Sequence, residues 1–544
     1  MAVAHRVNTE TRTERGSNAM RIAFVNPPLR DWRFSRSQRS PGVIKSGTLY
    51  YPYWLAHATA LAMSRGHDCL LLDCAADELS RQDTIERLKE FDAGLIVIET
   101  STPSVNHDLE TVDLFKAALP NASFCCTGTH VTAKWEAALN QSSALDFVAI
   151  GEYDYTISEL AEALEQDQPT ASVDGLAWRS ASGPERSQNR ELISDMDALP
   201  WIAPVYKQFL TPQNYLFTIA NQPMVMLIGG RGCKARCFFC VYPQVMHGHS
   251  YRCRSAEDVV NEMKWIQDNM PEVQEIVFED DTFTSDRARA QEIARLVKEA
   301  GITLPWFANI RVNVDYETLK ALKEAGLRQC ATGFESGDQT LLINMRKGQT
   351  LQHQKEFMEN CRKLGILVHG CFMVGFPGET KETLAKTLGL AKELNPDSAQ
   401  FYPVMPYPGT GAYDWAEEGG YLATTNFDEW LNPDGGHRCV LDLPGLSPKD
   451  LEDFCEYAVR KFHFRPSYMV RKAIQAVTNP KEGLRSVNAF RNFLISIVRG
   501  DKAVTSVLPP KQTDIDDAWN ARTRVPRGRM ELINGKSSQI KRAS

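Results

Sequence analysis

Two stretches of this chain alternate short apolar runs with segments of helical period, and that alternation limits the fold more than any other feature. In the first stretch the apolar runs are Arg21–Asn26, Cys69–Asp73, Gly94–Glu99, Ser123–Thr127 and Asp146–Ile150. Helical patterns fill Tyr53–Arg65, Asp83–Phe91 and Val105–Leu119 between them. In the second stretch the runs are Met224–Gly229, Glu275–Glu279, Trp306–Arg311, Gln329–Glu335, Val368–Phe376 and Ala399–Met405. Helical patterns separate these too, among them Ser255–Asn269, Tyr316–Ala325, Thr350–Leu364 and Thr380–Leu394. Short apolar strands alternating with helices predict parallel sheets covered by helices on their faces. The expected fold is α/β: a doubly wound, Rossmann-like N-terminal domain, then a partial (β/α)6 barrel.

Parallel sheets place ligands at the carboxyl ends of their strands, so the loops there are the candidate sites. In the first stretch they are Asn26-Pro27-Pro28, Thr100-Ser101-Thr102, Gly128-Thr129-His130 and Gly151-Glu152-Tyr153-Asp154. Glycines in such loops let the backbone approach a flat ligand. In the second stretch they are the cysteine loop after Gly229, Asp280-Asp281-Thr282, Arg311, Glu335-Ser336-Gly337, Pro377-Gly378-Glu379 and Pro406–Thr410.

The cysteine loop reads Gly232-Cys-Lys-Ala-Arg-Cys-Phe-Phe-Cys240, spacing Cys233, Cys237 and Cys240 as C-x3-C-x2-C. Three thiolates this close can hold three corners of a 4Fe–4S cube and leave the fourth iron open. A structural zinc site normally asks for four protein ligands, and no second C-x-x-C follows. A disulfide framework suits short secreted chains, not one of 544 residues. Cys253 reads as a structural thiol, because a fourth protein ligand would close the open iron.

The spacing, with the aromatic Phe239 before the last cysteine, resembles the signature of the radical S-adenosylmethionine (SAM) superfamily. The run Cys237-Phe-Phe-Cys-Val-Tyr-Pro-Gln-Val-Met-His-Gly-His-Ser-Tyr-Arg-Cys-Arg-Ser255 looks like the branch with an N-terminal cobalamin-binding domain. Within that branch it is similar to radical SAM proteins of hopanoid biosynthesis. More distantly it resembles the anaerobic oxidative cyclase of bacteriochlorophyll synthesis and the class B radical SAM methyltransferases. The resemblance covers roughly residues 20–470.

It implies three cofactors: a 4Fe–4S cluster on Cys233, Cys237 and Cys240, SAM, and cobalamin. Asp280 and Asp281 match the place where the family meets the amino group of SAM; an Asp-Asp-Thr run before a helix is equally a capping pair. Glu335 and Ser336 match the segment that meets the ribose or methionine portion. Gly375, Pro377 and Gly378 match a segment packed on the adenine, or form a tight turn. Arg311 points into the same space, either to hold a carboxylate bidentately or to make an ordinary salt bridge. The N-terminal loops with Asn26, Pro27, Thr100, Ser101, Gly128, Thr129, Gly151 and Glu152 would cradle cobalamin. The D-x-H-x-x-G motif is absent; His57, His67, His107 and His130 read as surface or cap residues, so cobalamin would be held without histidine coordination.

The expected organisation is a disordered leader (1–19), a cobalamin-binding domain (20–170), an irregular linker (171–221), the barrel (222–420), a helical C-terminal domain (421–500) and a disordered tail (501–544). The run Gly16-Ser-Asn-Ala-Met20 reads either as a tag remnant before a natural start at Met20 or as a native extension. In the C-terminal region helices are expected from Pro448 to about Phe462, over Ser467–Val477 and over Asn488–Val498. The basic, apolar run Arg460–Arg465 with Arg471 and Lys472 suits a surface helix with snorkelling side chains better than membrane contact. A net charge of −7 gives no reason to expect nucleic acid. No apolar run is long enough to span a bilayer, and Met1–Asn18 lacks a secretory apolar core, so a reducing cytoplasm is expected. The resemblance implies an enzyme that cleaves SAM reductively at the cluster to a 5′-deoxyadenosyl radical. That radical then functionalises an unactivated carbon of a small-molecule or lipid substrate. C-methylation is the first reading; rearrangement, cyclisation or oxidation is the alternative. A flavodoxin or ferredoxin would supply electrons.

Overall fold

The computed structural model describes residues 19–44, 46–478 and 483. The leader, the tail and the expected helix over Asn488–Val498 lie outside the described residues, save Ala19 of the leader. The first sheet contains β1 (Arg21–Asn26), β2 (Asp68–Asp73), β3 (Leu95–Glu99), β4 (Ser123–Thr127), β5 (Phe147–Ala149), β6 (Leu176–Ser180) and β7 (Gly183–Arg186). Its order is β2-β1-β3-β4-β5-β6-β7, with β1 to β5 parallel and β6 and β7 antiparallel. The strand order reverses between β1 and β3, as in doubly wound sheets. β3 has every residue buried, the mark of a strand covered on both faces. The hairpin β6–β7 corrects the expectation of an irregular linker: Leu176–Ser180 turns at Ala181-Ser182 and adds two strands to the sheet edge. Each is too short to stand out from loop composition.

The second sheet is built of β8 (Met224–Leu227), β11 (Glu275–Phe278), β12 (Trp306–Asn309), β13 (Leu327–Glu335), β14 (Leu367–Val374) and β15 (Ser398–Pro403). All neighbours are parallel and run in the order β15-β14-β13-β12-β11-β8. The two end strands do not pair, so the barrel is partial, as expected. Between β8 and β11 a small antiparallel pair, β9 (Gly230–Arg231) and β10 (Arg252–Cys253), brackets the cysteine loop.

The two-residue period of the strands sorts their faces. Phe334, Phe372 and Phe401 stack in a ladder with centroids 5.5 and 5.0 Å apart. That ladder meets Phe357 and Phe462 of the covering helices. Gly333, Cys371 and Tyr402 therefore face the barrel interior, where they remain half-buried.

The C-terminal region is only partly helical. Helices span Pro448–His463 and Pro466–Thr478 as expected, but 419–447 is an irregular strap with one short turn, Phe427–Trp430. Its Gly435-Gly436 and Pro444-Gly445 pairs break any helix. Among the described residues no helix is long and apolar enough to cross a membrane.

Candidate functional site

The cysteine loop is held almost entirely through its backbone. Gly232 has φ +83°, and a Cβ there would lie 2.1 Å from Ser250 O, so only glycine fits. Gln244 Nε2 donates to three loop carbonyls, Cys237 O at 3.2 Å, Phe238 O at 3.0 Å and Cys240 O at 2.9 Å. Its Oε1 accepts from Gly411 N at 3.0 Å. Asp280 Oδ1 accepts from Gly229 N at 2.6 Å and Asp281 Oδ2 from Gly232 N at 3.0 Å. The two aspartates thus pin the start of the loop. Neither is a cap of the following helix, which Asp286 caps instead. Burial pushes the Asp280 carboxyl up to about 6, and its Oδ2 has no hydrogen-bond partner.

All thirteen cysteines are free. Cys233 and Cys237 are buried and Cys240 is half-buried. Burial raises the Cys240 thiol, and negative charge on Asp281, Cys237 and Cys233 raises it further. A metal centre binds such thiols by displacing their protons. Cationic side chains stand beside them: Arg311 Nη1 is 3.9 Å from Cys237 Sγ, and its other terminal nitrogen donates to Lys347 O. Lys347 Nζ donates to Glu335 Oε1 at 2.5 Å. Burial opposes the lysine's charge, but Glu335 and Cys237 together hold it above its ordinary value. Cys253 lies on β10 opposite Gly230 as a half-buried strand thiol.

Glu335 ends β13 with φ +62°, a strained setting for a side-chain-bearing residue. Its Oε2 is buried without a partner. Ser336 is spent locally: its Oγ accepts from Asp338 N at 3.1 Å. Phe239 packs on Phe376 at 5.3 Å, and Lys347 lies 5.9 Å over its ring. That contact joins the cysteine loop to the Gly375–Gly378 turn, whose two glycines have φ +93° and +91°. Pro377 O accepts from Asn344 Nδ2 at 2.9 Å.

The strand ends of the first sheet differ in character. Gly128 has φ +111°, and a Cβ would sit 2.2 Å from Thr100 O, so this glycine serves the approach of two strand-end loops to each other. Thr100 Oγ1 donates to Thr127 O at 2.7 Å, and Ser101 Oγ meets Ser104 Oγ at 2.8 Å. Thr129 opens the short helix Thr129–Ala133, and Gly151 N donates to Thr132 Oγ1 at 3.1 Å. Asn26 is locked in a buried network with Asp73 and Arg36, while Pro27 O accepts from Arg36 Nη1 at 2.7 Å. Glu99 accepts from Ser37 Oγ at 2.8 and 3.0 Å, and burial lifts its carboxyl to about 8. Thr127 Oγ1 and Tyr153 Oη are buried without partners.

The carboxylate of Glu152 is fully engaged at the junction of the two halves. It accepts from Arg252 at 2.6 and 2.8 Å, from His247 Nδ1 at 3.1 Å and from Ile193 N at 3.1 Å. Burial would raise it, but the His247 and Arg252 hydrogen bonds and the Arg231 charge hold it well below the usual range. Arg231 pairs with Asp154 at 2.7 Å in the same cluster. The surface reading of the histidines is corrected: His57, His67 and His130 are buried, and His107 is half-buried. Burial keeps His130 neutral, down to about 3, against Thr102 Oγ1 and the Phe427 ring.

Sequence reading missed Arg36, Ser37, Arg39, Gln244, Lys347 and the inward-facing Tyr402. The run Phe34–Ser40 carried one usable signal: six polar side chains between two expected buried elements. Lys347 and Gln244 carried none.

The residues fit all three implied groups. The thiols, with Arg311 and Lys347 beside them, suit a cluster of net negative charge. The unpartnered oxygen of Glu335 suits a cationic ligand next to it. Thr127, Tyr153 and neutral Glu99 offer an uncharged polar surface for a corrin, with no histidine among them.

The comparisons agree with that assignment. Residues 227–391 match the Radical SAM superfamily and residues 39–161 the B12 binding domain. An uncharacterized methyltransferase of Pyrococcus horikoshii is 30% identical over 427 residues, 78% of this chain and 90% of that protein. The anaerobic magnesium-protoporphyrin IX monomethyl ester cyclase of Cereibacter sphaeroides is 27% identical over 402 residues, 72% of this chain and 63% of that protein. Among solved structures, the radical SAM methyltransferase TsrM from Kitasatospora setae, with cobalamin and a 4Fe–4S cluster bound, has a similar fold. Its TM-score is 0.62 at 17% identity, covering 82% of this chain and 90% of that one.

Proposed function

Because the chain belongs to the radical SAM enzymes that carry an N-terminal B12-binding domain, we propose that it C-methylates an unactivated carbon of a small-molecule or lipid substrate. One observation supports this reading above the others. Ser37 bonds Glu99 at the end of β3, and Arg39, two residues on, bonds Glu279 just past the end of β11. The carboxyl ends of the two sheets therefore meet at one short segment.

When bound, the cluster and SAM supply a radical that removes a hydrogen atom, and cobalamin supplies a methyl group. The chain's own residues bind and align. Cys233, Cys237 and Cys240 hold the cluster, with Gln244, Asp280 and Asp281 fixing their loop. Glu335 Oε2 accepts from the ammonium or hydroxyl groups of SAM, and Lys347 holds the other carboxylate oxygen. Phe239 and the Gly375–Gly378 turn pack on its adenine. Thr100, Ser101, Thr127, Gly128, Thr129 and Tyr153 would face the corrin, while the side chains of Asn26 and Glu152 are taken up by partners within the protein. Cys371 and Tyr402, which face the barrel interior, line the substrate side and exclude water. A small flavoprotein or iron–sulfur protein supplies electrons.

The likeness to the cyclase favours a second reading, in which the substrate radical is oxidised or cyclised and no methyl group moves. Reconstituted enzyme, methyl-labelled SAM and a candidate substrate separate the two. Methyl transfer predicts label in the product alongside 5′-deoxyadenosine. Deoxyadenosine with an unlabelled product would refute it for that substrate.

A further inference from the structure

Arg39 makes the most concentrated set of contacts between the two halves. Its Nη1 donates to Glu279 Oε2 at 2.7 Å, and its Nη2 to Glu279 O at 2.6 Å and Asp280 O at 2.8 Å. Asp281 Oδ1 lies 3.5 Å from Nη2, and the guanidinium sits 5.6 Å over the Tyr242 ring. Three consecutive residues just past β11 thus converge on one side chain from some 240 residues earlier. Two of them, Asp280 and Asp281, hold the backbone of the cysteine loop.

The segment that delivers Arg39 is pinned on both sides. Arg36, wholly buried, pairs with Asp108 and bonds Asn26 and Pro27 of the first sheet. Ser37 O accepts from Tyr53 of that domain and from Tyr242, two residues after Cys240. Ser40 Oγ meets Tyr407 Oη at 3.0 Å and His437 Nε2 at 3.1 Å. Arg39 is therefore set by the N-terminal half and acts on the barrel.

We propose that Arg39 is a positioning residue for SAM: it holds residues 279–281 against the cysteine loop, so that SAM affinity depends on a side chain of the N-terminal half. The proposal rests on reading the barrel end as a SAM site. Without the guanidinium, Glu279 keeps a buried carboxylate bonded only to Asn309. The 279 and 280 carbonyls lose a shared donor, and Asp281 loses its cation. A lysine restores the charge but not the fork that reaches three acceptors at once.

The test is anaerobic calorimetry of SAM into cluster-reconstituted protein without reductant, so that nothing turns over. Arg39→Ala is expected to raise the Kd for SAM at least ~10-fold, with Arg39→Lys in between. The SAM-induced change in the electron paramagnetic resonance of the reduced cluster weakens in the same order, while iron content and cobalamin loading stay at wild-type levels. A Kd within twofold of wild type for Arg39→Ala overturns the proposal. Should that variant fail to fold, Arg39→Lys decides by the same twofold criterion. If the wild type itself binds no SAM, the underlying reading fails with it; wild-type binding that Arg39→Ala leaves untouched removes this proposal alone.

Discussion

The two sheets finish in opposite chemical styles. The barrel strands end in thiols and paired charges: Cys233, Cys237 and Cys240, Lys347 with Glu335, Arg39 with Glu279. The strands of the first sheet end in hydroxyls and a carboxyl that burial holds neutral: Ser101, Thr127, Tyr153 and Glu99. One end is suited to a charged cluster and a cationic cosubstrate, the other to a large uncharged ring system. Ionised groups buried in the barrel are stable only as mutual partners; at the other end few charges need balancing. Charge is concentrated again in the buried Arg36–Asp108 pair beside β1 and at the junction, where Glu152 meets Arg252 and Arg231 meets Asp154.

That contrast can be broken at its strongest point first. Glu152→Ala leaves Arg252 and His247 buried without their carboxylate, and losing one partner of a buried ion cluster costs about 3–5 kcal/mol. Chemical denaturation should show that loss at pH 7. In the wild type the Glu152 contribution is complete above the ordinary carboxylate range, because the folded group lies well below it. It disappears as pH falls below about 4, so wild type and variant should converge in acid. A constant gap across pH would contradict the assignment.

Gln244→Ala comes next. It removes one donor from each of three carbonyls of the cysteine loop, while Cys240 N still donates to Cys237 O and Ala412 N to Phe238 O, at about 1–3 kcal/mol for the hydrogen bonds lost. Lower iron occupancy after reconstitution is the expected readout, with cobalamin binding unaffected. Equal loss of both cofactors would show that the two ends are not separable.

The smallest effect belongs to Glu99→Gln. The wild-type carboxyl has its folded value raised to about 8 from an ordinary 4.5. Its stabilising share is therefore present below about pH 4.5 and lost as pH rises towards 8. Glutamine keeps an acceptor for Ser37 and does not titrate. The variant should gain on wild type near pH 7, with the gain shrinking towards pH 5. A gap that does not move with pH would mean that Glu99 is ionised.

How much of this was readable in the sequence follows the range of the contacts. Every strand of the barrel and the five parallel strands of the first sheet follow from local apolar runs. The cysteine loop follows from spacing over eight residues. What escaped depends mostly on long-range meetings with no local trace, such as Arg39 with Glu279 and Glu152 with Arg252; Gln244 bonds carbonyls four to seven residues away, but composition does not show which way its side chain turns. The buried histidines escaped for the same reason, since the cover of His57, on the helix Tyr53–Ser64, and of His130, on the short helix Thr129–Ala133, comes from elsewhere in the chain. The strap over 419–447 escaped because Gly-Gly and Pro-Gly pairs announce a break but not where the chain then goes. Glu152 and Asn26 were rightly placed at strand ends, yet their side chains turn to partners within the protein, a choice that loop composition does not record.

The central claim is that three thiols of one loop hold a cluster whose fourth iron is open to SAM. Anaerobic reconstitution, followed by iron analysis and electron paramagnetic resonance of the reduced protein with and without SAM, tests it most directly. Four irons per chain and a spectrum that shifts on adding SAM are predicted, with both lost in Cys237→Ala. Retention of the cluster by Cys237→Ala, or a wild-type spectrum indifferent to SAM, would contradict it.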